Sequence, residues 1–193
     1  MLQVFEVEKR VSVEPAFLGW PDSEQLQEDS GLGSNRSFCY LGQLDWDECR
    51  ELIAWEANFL REMESADIED VLNDDERGIE VLEMLRGLDP GIASAVFCLA
   101  ASGSIPFSSC NGGVLGDKHH EHYPIISFYC RGHHVPLMLR AANASSVALE
   151  EQGDYVIAYT GDVREFIEFA RALYAMRDEI DQANEIAGHH LPN

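Results

Sequence analysis

Five of the chain's seven histidines and two of its five cysteines fall between residues 110 and 134, in CNGGVLGDKHHEHYPIISFYCRGHH. Imidazole and thiolate are the ligands that zinc accepts, and they are also the commonest base and nucleophile. Two kinds of chemistry are therefore open to this segment. In the first, His119 and His122 stand three apart, as do Cys130 and His133. The pattern His-x2-His…Cys-x2-His offers four ligands, and two short pairs separated by a strand can converge on one zinc ion. Cys110 is an alternative thiolate ligand. In the second, Cys110 is a nucleophile. It precedes Asn111-Gly112-Gly113, where the two glycine amides could form an oxyanion hole, with His119, His120 or His122 as base.

Neither pattern names a reaction. There is no CxxC…CxxC pair and no zinc-finger spacing, and Asn-Gly is also the strongest short signal for a hairpin turn. The string PFSSCNGG, followed by a strand ending in FYC, resembles the SSCSGR region of the tRNA wybutosine-synthesis methyltransferase family. There too, a strand carrying a proline and a late cysteine lies downstream. Asn111 and Gly113 stand where that motif has Ser and Arg, and the likeness ends near Cys130. It implies a tRNA-modifying enzyme, which the charge of the chain opposes.

Thirty-five acidic residues face thirteen basic ones, for a formal net charge of −22. Residues 45–89 alone carry sixteen acids and four bases, whereas residues 90–160, which hold the Cys/His segment, carry five and three. A field of that sign repels phosphate backbones and anionic lipid surfaces, so neither nucleic acid nor a membrane is an expected partner. A basic protein is. The carboxylates expected to meet it are Glu62, Glu64, Asp67, Glu69 and Asp70, and adaptation to salt would favour the same surface. Acids at 67–76 lack the D-x-D-x-D-G pattern of a calcium loop. No G-x-S-x-G elbow is present, and GLGSN at 31–35 lacks the strand and helix of a phosphate loop.

The elements that position these residues follow from periodicity and capping. The chain suits one domain of 193 residues. Residues 2–7 and 11–14 alternate weakly, as in a small hairpin or edge strand, and 14–42 reads as a long surface loop. Asp45 and Glu48 make a capping box for a helix over 46–64, with Trp46, Cys49, Ile53, Leu60 and Met63 on one side. A second helix opens at Asn73 with Ile79, Leu82, Leu85 and Leu88 inside. Asp89-Pro90 predicts the cap and first residue of a buried third helix to about 102. Strands are expected at 105–110 and 124–130, the second interior, then a short helix from Pro136. A hairpin turns around Gln152-Gly153-Asp154, and a last helix runs from Asp162, with Glu165 at N3 as another capping-box pair, to about 187.

The sum is an α+β domain. N-terminal helices precede a four-stranded, mainly antiparallel sheet in ββα-ββα order, with helices on one face. Odd cysteine usage and the lack of a leader-like N-terminus or an apolar run of membrane length fit a soluble, cytoplasmic protein. Function reads first as a non-enzymatic interaction module that binds a basic partner, such as an inhibitor, immunity-type or adaptor protein. The alternative is a small metal-binding or cysteine-dependent enzyme or sensor using 110–134.

Overall fold

The computed structural model describes residues 2–22, 44–65, 79, 81, 83–114 and 121–188. In chain order its elements are β1 (Val11–Ser12), α1 (Trp46–Ser65), α2 (Ala93–Ala101), β2 (Ile105–Cys110) and β3 (Ile125–Tyr129). They continue with α3 (Val135–Ser145), β4 (Ala148–Gln152), β5 (Tyr155–Tyr159), α4 (Arg164–Ala175) and α5 (Arg177–Gly188). The fold is α+β. No helix among the described residues is long and apolar enough to cross a membrane.

The sheet departs from the expected four strands. It has five, in the order β1-β4-β5-β3-β2, and it is mixed: β1 runs parallel to β4 while the other three pairings are antiparallel. β1 is two residues long, too short for an alternation to register in sequence. A fifth strand before the helices also breaks the simple ββα-ββα order. β3 is interior as expected, between β2 and β5. Gln152 pairs with Tyr155 across a tight turn in which Gly153 takes φ +68°.

Alternation along the strands separates two faces. Ile126, Phe128, Val156 and Ala158 are sealed from solvent and join one core with Leu99 of α2, Met138 of α3 and Phe166 of α4. Their neighbours Ile125, Ser127, Tyr129, Tyr155 and Ile157 remain partly exposed on the opposite face. Leu85 is buried as the expected second helix requires, but Ile79 is exposed; Leu82 lies outside the described residues.

α1 forms where its capping box places it. The Asp45 amide donates to Glu48 Oε2 (3.2 Å), and the Glu48 amide donates to Asp45 Oδ1 (2.8 Å). The expected caps of two other helices are corrected. α2 begins at Ala93 rather than at Pro90, and Asp89 accepts a hydrogen bond from the Asn111 amide instead (3.2 Å). Asp162 and Glu165 form no reciprocal box: Asp162 accepts from the Arg164 amide (3.0 Å), while Glu165 pairs with Lys9 and the Thr160 hydroxyl.

The single C-terminal helix is two helices that meet at Met176, where neither glycine nor proline marks a break. The bend seats Ile180 in the core, brings Asn184 to the Ser102 carbonyl (3.3 Å) and sets Asp181 against the Trp46 indole (3.1 Å).

Candidate functional site

Cys110 ends β2, partly exposed. The turn after it is held by its own side chains. The Gly112 amide donates to Cys110 Sγ (3.3 Å), and the Gly113 amide donates to Asn111 Oδ1 (3.0 Å). Asn111 is itself buried, with Nδ2 donating to the Pro90 carbonyl (3.2 Å). Gly112 has φ +71°, and a β-carbon there would lie 2.5 Å from the Tyr123 carbonyl carbon. Glycine is required at this position to let two backbone segments meet. Both amides proposed for an oxyanion hole are thus engaged within the loop.

The four metal-ligand candidates do not form a described cluster. His119, with His120, lies outside the described residues. His122 and His133 are exposed, whereas Cys130 points into the core. Burial pushes the Cys130 thiol up to about 12, against a hydrogen bond with Ser104 that favours the thiolate. Among the described residues, no three His, Cys, Asp or Glu side chains come together as a metal ion needs.

The neighbour of His133 is the unusual residue. His134 is fully buried, and neither ring nitrogen meets a hydrogen-bond partner in good geometry. Burial, reinforced by the adjacent His133 and Arg131 charges, lowers its pKa to about 4, against the Asn184 amide, which favours the charged form. The His133 and His134 ring centroids are 4.1 Å apart.

A second buried ionisable group escaped the sequence reading. Glu56 of α1 is completely buried and caps α2 from the side. Its Oε1 accepts from the amides of Gly91 (2.7 Å) and Ala93 (3.0 Å), and its Oε2 from Ser94 (2.9 Å). Burial pushes its pKa up and these amides pull it back. The signal was present: Glu56 sits three residues after Ile53 and four before Leu60, on the apolar stripe. It serves structure.

Of the acidic candidates, Asp67, Glu69 and Asp70 lie outside the described residues. Glu62 and Glu64 are exposed on α1, and Glu64 accepts from Arg164 Nη1 (2.5 Å). Another acidic surface was not anticipated. On the exposed face of the sheet, Glu6, Glu8, Arg10 and Glu150 surround a depression of about 360 Å³ whose other walls are Val7, Tyr123, Ile157 and Tyr159. The N-terminal segment forms one side because its backbone docks on the sheet end: the Phe5 amide donates to the Gly161 carbonyl (2.8 Å). A β-carbon on Gly161 would lie 2.2 Å from the Phe5 carbonyl oxygen, so only glycine permits that approach.

Comparison with models of known protein families, with curated proteins and with solved structures found no match to the chain. The surface itself must carry the functional reading.

Proposed function

We propose that this protein is an interaction module that binds a basic protein partner. The observation that carries the reading is how fully its scarce cations are already used. Of the thirteen Lys and Arg residues, at least eight lie within 4 Å of a carboxylate of the same chain: Lys9, Arg10, Arg50, Arg86, Arg140, Arg164, Arg171 and Arg177. Internal pairing cannot neutralise thirty-five acids, so the surplus must meet counterions or a cationic surface. Exposed carboxylates of this kind steer a basic partner into encounter and raise its association rate as salt falls.

Glu62 and Glu64, with Asp67, Glu69 and Asp70 beyond them in sequence, are the first residues to test. In the proposed complex, replacing all five by Gln or Asn slows association with a Lys/Arg-rich peptide about tenfold at low ionic strength. Stopped-flow measurements across a salt series check this. An unchanged rate and salt slope would sink the assignment to that face.

A further inference from the structure

We propose that the depression on the exposed sheet face is the seat for an arginine side chain of the basic partner. This deepens the reading above and rests on it. The volume of about 360 Å³ falls within the range of small-molecule sites, roughly 300–1,000 Å³. Its chemistry is graded: three carboxylates, Glu6, Glu8 and Glu150, stand against one guanidinium, and the half-buried Tyr123 supplies ring surface with the buried Tyr159 packed behind it. The two ring centroids are 5.7 Å apart with their planes inclined by 49°. The Tyr159 hydroxyl donates to the Glu8 carbonyl (3.0 Å), tying the N-terminal wall to the sheet.

The chain supplies its own example of the occupant. Arg10 donates from Nε (3.2 Å) and Nη2 (3.0 Å) to Glu8 Oε1, and its Nε lies 3.8 Å from Glu150 Oε1. A guanidinium therefore already bridges carboxylates from two walls, one on the N-terminal segment and one on β4. A planar guanidinium satisfies paired carboxylates and stacks on tyrosine faces; a strongly hydrated ammonium does neither as well. The geometry selects arginine over lysine. It also makes Arg10 an internal competitor.

The test uses the full chain and a peptide, acetyl-Gly-Arg-Gly-Arg-Gly-amide, with its lysine counterpart. Binding is followed by NMR of the tyrosine rings, and circular dichroism checks each variant's fold. The arginine peptide is expected to shift Tyr123 and Tyr159, and Glu150→Gln to weaken it about tenfold. Arg10→Ala is expected to tighten it. Lys9→Ala, which removes the same charge from outside the depression, is expected to tighten it much less. Equal affinity for the lysine peptide would overturn the choice of arginine. Loss of binding in Glu62→Gln/Glu64→Gln, with Glu150→Gln and Arg10→Ala unchanged, would overturn the docking site while leaving a basic partner in place. No binding of either peptide by the unmodified chain would overturn both.

Discussion

On the helix-covered face of the sheet, Ile126, Phe128, Val156 and Ala158 are sealed, and the ionisable groups in that core, Glu56 and His134, are each held in a fixed setting. One residue out of step, the opposite face carries Tyr129, Tyr155, Ile157 and Tyr159, with Glu150 beside a depression. Period-two alternation delivers both faces from the same strands. The difference lies in what an ionisable group costs. Inside, it must be satisfied or kept neutral; outside, water holds the charge and leaves it available to a ligand. The charges open to a ligand are therefore those that face water, on the outer sheet face and on the exposed side of α1, and stability effects should concentrate on the inner face.

Glu56→Ala should break the inner face most. It strands three amides at the start of α2 and leaves a cavity, an expected loss of about 4 kcal/mol in urea denaturation. Glu150→Ala, on the partly exposed face, should change the same unfolding free energy by less than about 0.5 kcal/mol. Similar losses in the two variants would erase the contrast between the faces.

His134 gives the inner face a pH signature. Its folded pKa of about 4 lies below the ordinary value of 6.5, so the unfolded chain takes up a proton that the folded chain refuses. Stability from this group is fully present above about pH 6.5 and is lost as pH falls toward 4, by about 3 kcal/mol in total. Glu56, whose pKa is raised, acts in the opposite sense: its contribution is lost as pH rises. The difference between the parent and His134→Leu isolates the histidine. If the two stability curves run parallel from pH 7 to 4, the imidazole is not held neutral.

Gly112→Ala sits between the two faces in expected effect, at about 2 kcal/mol. It combines a positive φ with a clash against backbone that cannot rotate away. Thermal unfolding measures it, and a change under about 0.5 kcal/mol would show that the Tyr123 segment can move aside.

How much of this was legible depended on how local the cause was. β2 was read at its observed bounds, and α1 within a residue, because its capping box and apolar stripe lie within the helix itself. β1 was only glimpsed as an edge strand, since its pairing with β4 spans more than a hundred residues and involves two. No glycine or proline announces the break at Met176, and beyond it Asp181 and Asn184 make long-range contacts to Trp46 and Ser102. The candidate site divided in the same way. Local spacing drew attention to the Cys/His segment, yet spacing is blind to strand phase, which turns Cys130 inward while His133 stays exposed. The depression joins residues 6–10 to Tyr123, Glu150 and Tyr159. Only the fold brings them together.

The smallest expected stability effect is the most useful for function. Glu64 meets Arg164 at 2.5 Å, and Arg164 also pairs with Asp162 at 2.5 Å. Removing Glu64 thus leaves the guanidinium with a partner, and exposed pairs of this kind contribute only about 0.2–1 kcal/mol. Against that small loss stands relief of self-repulsion in a chain of net charge −22. For Glu62→Gln/Glu64→Gln the two should nearly cancel, changing the unfolding free energy from urea denaturation by less than about 0.5 kcal/mol, with any gain growing as salt is lowered. If the double variant is instead clearly less stable at every salt concentration, these carboxylates serve the fold, and their value as a binding face falls. If stability holds while association with a basic peptide slows, the outer charge is spent on recognition alone.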